Sequence, residues 1–239
     1  RMWGANGKPA RESRRGLPSP MVAFYKMMGL CSRFPRHRSF GHYYMGYLPW
    51  DEPAPIEVVS GAFCMIRRVA LQKVGLLDED FFMYGEDIDL SYRILKGGYQ
   101  NYYLPVDILH YKGESTQKSS FRYVHVFYEA MLIFFRKHYS GMSHLLSIPI
   151  KFAIYARASV ALTQMMTTRI RKSLGFFSPS HVDLSDYVLF DADEMSYEEI
   201  LHQLVLRSDE NIKLATFTKD IGKVITDRDV MDKDEFGYL

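Results

Sequence analysis

Between residues 56 and 110 the sequence passes through a β-rich stretch, a short helical stretch, an acidic turn, an amphipathic helical stretch and a second β-rich stretch. That alternation restricts the chain to an α/β fold and excludes an all-α or all-β one. Residues 56–66 read as a buried strand interrupted at Ser60-Gly61-Ala62, where small side chains let another backbone or a ligand approach closely. Residues 67–74 read as a short helix ended by Gly75. Residues 87–96 read as a helix that buries Ile88, Tyr92 and Leu95 and stops at Gly97-Gly98. Residues 99–104 and 106–110, on either side of Pro105, form the second buried run.

The turn between the two helices is Phe81-Phe82-Met83-Tyr84-Gly85-Glu86-Asp87-Ile88-Asp89-Leu90. Carboxylates as dense as Glu86, Asp87 and Asp89 repel one another, so an enclosed site holding them usually also holds a cation, a proton or a substrate that needs a base. The plain alternative is that Asp87 caps the helix by accepting its free N–H groups. Against that, the bulky run before it points to a partly desolvated cleft, and capping needs only one acid. Asp89 falls on a different helix face and reads as structural. His110 closes the last β-rich run, and in open α/β sheets ligands bind beyond the carboxyl ends of the strands. A lone histidine there is more often a hydrogen-bonded loop residue than a ligand.

The remainder is less informative. A hydrophobic content of 47% excludes global disorder, and 239 residues suffice for one sizeable domain plus a small unit. Cys31 and Cys64 have no CxxC spacing, which argues against a disulfide framework or a zinc site and for a reducing, cytoplasmic setting. No signal peptide is visible, and the start at Arg1 leads us to expect a fragment. Residues 1–55 read as mostly loop, with a helix over 21–29 begun by Pro20 and ended by Gly29. Residues 123–139 read as an aromatic helix with a basic last turn. Residues 141–180 carry five Lys/Arg and no acid. The apolar part of that stretch reads as lying in a membrane interface, in preference to a core helix or a spanning one. Residues 186–225 read as a small α/β pattern, with a helix starting at Ser196 and Asp193 and Glu194 near its start.

Charge divides the chain. Residues 181–239 hold 15 acids against 6 Lys/Arg, a balance of −9, while residues 1–180 stand at +11. The basic part favours anionic partners such as phosphates or a lipid surface. Arg14, Arg15, Arg33, Arg36 and Arg38 interleave with aromatic residues and proline. No nucleic-acid module accompanies them, so contact of one or two with phosphate or carboxylate is the better reading.

The runs Ser60-Gly61-Ala62-Phe63-Cys64-Met65-Ile66-Arg67-Arg68 and Val74-Gly75-Leu76-Leu77-Asp78-Glu79-Asp80-Phe81-Phe82-Met83-Tyr84-Gly85-Glu86-Asp87-Ile88-Asp89-Leu90-Ser91-Tyr92-Arg93 are followed in order by Gly98-Tyr99, Pro105 and His110-Tyr111-Lys112-Gly113-Glu114-Ser115. Together with Arg14-Arg15-Gly16-Leu17-Pro18, they resemble the later half of family 2 glycosyltransferases, closest to the rhamnosyltransferase-like enzymes of bacterial cell-surface polysaccharide synthesis. The resemblance covers roughly residues 1–140. It implies part of a GT-A (Rossmann-like) domain without its N-terminal nucleotide-binding half, then a helical membrane-interface segment over 141–180 and a small acidic α/β unit over 181–239. It also implies a nucleotide-diphosphate-sugar donor, a glycan or lipid-linked glycan acceptor, Mg²⁺ or Mn²⁺, inversion at the anomeric carbon, and work at the inner face of the cytoplasmic membrane. By motif, Asp87 becomes the general base, Glu86 shapes the acceptor site with Gly61, Ala62 and Arg15, and His110 becomes a metal and diphosphate ligand. The family's Asp-x-Asp metal motif has no counterpart here, since Glu12 is the only acid in residues 1–50.

Two other readings compete with this one. A non-catalytic, membrane-associated binding or scaffold module would also fit a chain without a donor-binding half. A glycoside hydrolase would need two opposed carboxyl groups, which adjacent Glu86 and Asp87 do not obviously supply.

Overall fold

The structure is a computed structural model that describes residues 1–110, 121–139, 187–210, 212–227 and 229–237, with positions 159, 163, 166 and 167 helical. In chain order its elements are β1 (Met2–Trp3), α1 (Pro20–Met27), α2 (Leu30–Arg33), β2 (Ala54–Ile56), α3 (Arg68–Val74), α4 (Glu86–Lys96), β3 (Asn101–Tyr103), β4 (Ile108–Leu109) and α5 (Phe121–His138). They continue with β5 (Tyr187–Asp191), α6 (Tyr197–Leu206), β6 (Lys213–Thr218), β7 (Lys223–Ile225), β8 (Val230–Asp232) and α7 (Lys233–Gly237). The fold is mixed α/β, as the order of patterns implies. Two compact units result: Arg11–Val106 with Lys118–Thr168, and Arg1–Ala10 with Asp107–Gln117 and Arg169–Leu239.

In the larger unit, α1 begins where expected. Ser19 Oγ accepts the Val22 N–H at 3.3 Å and Pro20 takes the first helical position, where its missing N–H costs nothing. β2 pairs antiparallel with β3 through Ala54↔Tyr103, Pro55↔Tyr102 and Ile56↔Asn101. Ile56 and Tyr103 pack with Met45, and the intervening Tyr102 is exposed, as the two-residue strand period requires. The main core joins α4 to α5: Ile88 packs with Val58, Phe81, Ala130, Met131, Phe134 and Phe135. Burying one such aromatic side chain contributes about 1.5–3 kcal/mol. The α5 stripe therefore fixes where the first turn of α4 sits.

Three expectations need correction here. The strand predicted over 56–66 ends at Ile56, and residues from Gly61 to Met65 are exposed. Its partner β3 is only three residues long, and the chain bends at Ser60-Gly61-Ala62 instead of continuing. On α4 the buried side chain near the end is Ile94, with Leu95 only half-buried. The second β-rich run is short, and Tyr102, Leu104 and Val106 face solvent.

In the smaller unit, β1 lies parallel to β4 through Met2↔Ile108 and Trp3↔Leu109. β5 and β6 are parallel, and α6 supplies the crossover such a pair needs. β7 and β8 add antiparallel strands in the order β5-β6-β7-β8. Along β6, Leu214 meets Phe190, Ile200 and Leu204, while Ala215 and Phe217 meet Tyr187 and Val224 on the other face. Ser196 and Glu199 form a reciprocal capping box at the start of α6. Asp193, expected near that helix start, instead accepts the Lys219 N–H at 2.6 Å. β8 and α7 lie beyond the small α/β pattern expected over 186–225.

Among the described residues no helix is long and apolar enough to cross a membrane. The interfacial segment expected over 141–172 lies outside them, apart from the isolated helical positions.

Candidate active site

The backbone before α4 is bent sharply. Tyr84 and Gly85 both take positive φ, 65° and 90°. A Cβ on residue 85 would sit 2.9 Å from Phe81 Cδ1 and 3.2 Å from Ala130 Cβ, so glycine is required by both conformation and space. Gly85 is itself the N-cap of α4, and its carbonyl accepts the Asp89 N–H at 2.8 Å. Glu86 and Asp87 are thus the first two helical residues, and neither serves as a cap. They stand at the helix N-terminus, where the backbone dipole favours negative charge.

Asp87 is held on one oxygen. Its Oδ2 is ion-paired with the Arg15 guanidinium and accepts the Gly61 N–H at 3.2 Å. No hydrogen bond falls on Oδ1 among the described residues. Arg15 Nη2 also donates to the Val59 carbonyl at 2.8 Å, and the Arg15 carbonyl accepts the Val58 N–H at 2.9 Å. Burial works against the Arg15 charge, but Asp87 outweighs it and holds the guanidinium above its ordinary value. The bend at Ser60-Gly61-Ala62 is what delivers the Gly61 N–H to this carboxylate. Ala62 lies exposed on the same turn, its N–H at 3.4 Å from Ser60 Oγ.

Beside this pair, Glu86 Oε2 is buried without a hydrogen-bond partner, as is Arg15 Nε. Burial first, then the neighbouring charge of Asp87, push the Glu86 carboxyl above the ordinary glutamate range. The site therefore holds a paired carboxylate with an uncommitted oxygen, a second carboxyl with a buried, unbonded oxygen, and a buried cation. Val59 also lines a cavity of about 490 Å³ walled by Met65, Ile66, Tyr99, Asn101 and Leu104 among others.

Of the residues expected from sequence, Arg15, Gly61, Ala62, Glu86 and Asp87 belong to this one stretch of structure. His110 lies in the other unit, just past β4, with its N–H on the Trp3 carbonyl at 2.8 Å. Arg14, grouped with Arg15 by sequence, is structural: it lies 4.8 Å from the Trp50 ring and donates to the Pro49 carbonyl at 2.7 Å. Among the described residues no three His, Cys, Asp or Glu side chains converge as a metal site. The described residues thus do not by themselves fit the Mg²⁺ or Mn²⁺ that the resemblance implies.

Two arrangements escaped the sequence reading. Asp89, with no exposed surface, binds Arg93 Nε at 2.7 Å, Lys137 Nζ at 2.9 Å and His138 Nε2 at 2.6 Å. The spacing of Asp89 and Arg93, one helical turn apart, was the available signal. His42 Nε2 meets Glu57 Oε2 at 2.9 Å, and the same oxygen accepts the Leu17 N–H at 2.6 Å. Nothing in the sequence brings His42 to Glu57.

The glycosyl transferase family group 2 model matches residues 29–190. An N-acetylglucosaminyl-diphospho-decaprenol L-rhamnosyltransferase from Mycobacterium tuberculosis (strain H37Rv) is 32% identical over 122 residues, which cover 50% of this chain and 38% of that protein. The protein of the same name from strain CDC 1551 / Oshkosh matches to the same extent. The matched stretch is thus well under half the length of these curated relatives. No solved structure matches the chain.

Proposed function

The chain belongs to glycosyl transferase family group 2, and on that premise we propose that it carries the acceptor-activating part of an inverting glycosyltransferase. Its donor is a nucleotide-diphosphate sugar and its acceptor a glycan carried on a lipid. The relatives' name, which specifies a diphospho-decaprenol-linked sugar, supports that acceptor class. The work takes place at the inner face of the cytoplasmic membrane.

The observation that carries the reading is the asymmetric tie on Asp87: Arg15 and the Gly61 N–H both hold Oδ2, which leaves Oδ1 to receive a proton. A sugar hydroxyl is a poor nucleophile until a positioned base takes its proton during attack. Asp87 Oδ1 accepts that proton as the acceptor oxygen bonds to the anomeric carbon. The nucleoside diphosphate leaves from the opposite face with the bonding electrons. Arg15 fixes the orientation of the base, and the Gly61-Ala62 turn lets the acceptor backbone of the site come close to it. Glu86 Oε2, buried and unbonded, is the natural partner for a second acceptor hydroxyl.

The test is Asp87→Asn in the intact protein. Loss of turnover by about a hundred- to ten-thousand-fold with donor binding kept is expected of a general base. Retention of most of the turnover eliminates Asp87 from that role.

A further inference from the structure

The first two helices carry an exposed face that the transfer chemistry does not use. Met21, Phe24 and Met28 recur at helical spacing along α1 and its end, and all are exposed, at 57%, 48% and 62%. Nearby, Arg33, Phe34, Arg36 and Arg38 are exposed as well. A chain of ring contacts makes the patch continuous: Phe24 lies 6.2 Å from Tyr25, Tyr25 4.9 Å from Phe40, and Phe40 5.8 Å from Phe34. Residues 13–50 contain no Asp or Glu at all. Among the described residues no ion pair engages Arg33, Arg36 or Arg38. Lys26 is turned to protein, its ammonium 3.5 Å from the centre of the Tyr43 ring, and Arg38 lies more loosely over Tyr47, at 5.8 Å.

We propose that this face, Met21, Phe24, Met28 and Phe34 with Arg33, Arg36 and Arg38, docks the protein onto an anionic lipid bilayer. Large apolar side chains standing in water beside arginines that no carboxylate neutralises are what a helix lying in a membrane interface presents. The arginines meet anionic headgroups while the Met and Phe side chains enter the acyl boundary. Each arginine near a negative surface strengthens partitioning about fivefold, and salt screens that part. A nucleic acid would use the arginines but would leave Met21, Phe24 and Met28 in water. The inference rests on the proposed lipid-linked acceptor for its purpose, since such an acceptor keeps the reaction at the bilayer surface.

The test is co-sedimentation of the full chain with phosphatidylglycerol-containing vesicles and with phosphatidylcholine vesicles. The chain is expected to prefer the former. Arg33→Ser/Arg36→Ser/Arg38→Ser should weaken that binding on the order of a hundredfold, and Met21→Ser/Phe24→Ser/Met28→Ser should weaken it on both vesicles. Circular dichroism should stay unchanged, because all six positions are exposed, and Arg36→Glu alone should shift binding in the same direction. Partitioning of these variants at the parental level overturns the proposal, whatever else in the chain binds lipid. Equal binding to the neutral vesicles overturns it, and so does binding to a mixed-sequence oligonucleotide in place of vesicles. The vesicles carry neither glycan nor donor, so Asp87→Asn should bind them normally. A failure of the transferase reading and a failure of membrane docking thus give different results.

Discussion

Asp89 Oδ1 and His138 Nε2 lie 2.6 Å apart across the contact between α4 and α5, at a point where the aspartate has no exposed surface. The same carboxylate binds Lys137 and Arg93, and Arg93 continues to the Val74 and Leu76 carbonyls at 2.6 and 2.7 Å. One buried acid therefore ties the helix bearing Asp87 to the last turn of α5 and to the end of α3. Burial alone would push the Asp89 carboxyl up, but His138, Lys137 and Arg93 together hold it below the ordinary range.

Removing Asp89 strips Arg93 of its carboxylate partner and His138 of its hydrogen-bond partner, while Lys137 keeps Asp78. Breaking a buried pair this way costs about 3–5 kcal/mol. Asp89→Ala is thus expected to lower the urea midpoint followed by Trp50 fluorescence in a Trp3→Phe background, which isolates the larger unit. Loss of less than about 1 kcal/mol, the scale of an exposed pair, would show that the network is solvated rather than structural.

Gly85 and Gly98 separate conformational strain from crowding. Both have positive φ, 90° and 83°, but only at residue 85 would a Cβ strike anything, Phe81 at 2.9 Å. Gly98→Ala should cost about 1–2 kcal/mol from left-handed backbone alone. Gly85→Ala should cost clearly more, because Phe81 and Ala130 belong to the main core. Equal losses in parallel urea melts would remove the packing argument for glycine before Glu86-Asp87.

The His42–Glu57 pair makes stability depend on pH in a definite direction. The hydrogen bond that His42 donates to Glu57 outweighs burial and raises the His42 value. On Glu57, burial is outweighed by His42 and the Leu17 N–H, and the carboxyl is held low. The histidine contribution is complete below its unfolded value of about 6.5 and disappears as pH climbs through the raised folded value. The carboxylate contribution is complete above about 4.3 and disappears as pH falls through the depressed folded value. The stabilisation is therefore greatest between these limits. His42→Gln should flatten the decline between about pH 6 and pH 8, read as urea midpoints, and an unchanged slope would exclude this pair as its source.

The residues of the candidate site were legible because their signals are local. The dense acids of residues 86–89, the small residues at 60–62 and the glycine at the start of α4 all lie within short windows, and the structure brings Gly61, Arg15 and Asp87 together. Helices expected over 21–29, 67–74 and 87–96 were equally plain from Pro20, Gly75 and Gly97-Gly98, although the first ends at Met27 and Gly29 instead precedes α2. What failed depended on distant partners. The strand over 56–66 looked long because apolar residues continue past Ile56, yet a strand lasts only as far as its neighbour, and β3 offers three residues. No local pattern could bring His42 to Glu57 or Asp89 to Lys137 and His138, since those pairs form only when separate elements pack.

Arg15 and Asp87 should prove energetically coupled. Their side chains are 12% and 16% exposed, so each single change strands a charge in a poorly solvated place. Arg15→Met leaves the Asp87 carboxylate with only the Gly61 N–H, and Asp87→Asn leaves the Arg15 guanidinium with the Val59 carbonyl. The double variant removes both charges, and its loss should fall short of the sum of the singles by about 1–3 kcal/mol in a double-mutant cycle on Trp50 fluorescence. Independent sites would add within about 0.5 kcal/mol. In the intact protein, Arg15→Met should also depress turnover while leaving donor affinity in place, since Asp87, the proposed base, keeps its carboxylate but loses what holds Oδ2. Additive stabilities together with unaltered turnover would mean that the ion pair neither orders Asp87 nor prepares its second oxygen.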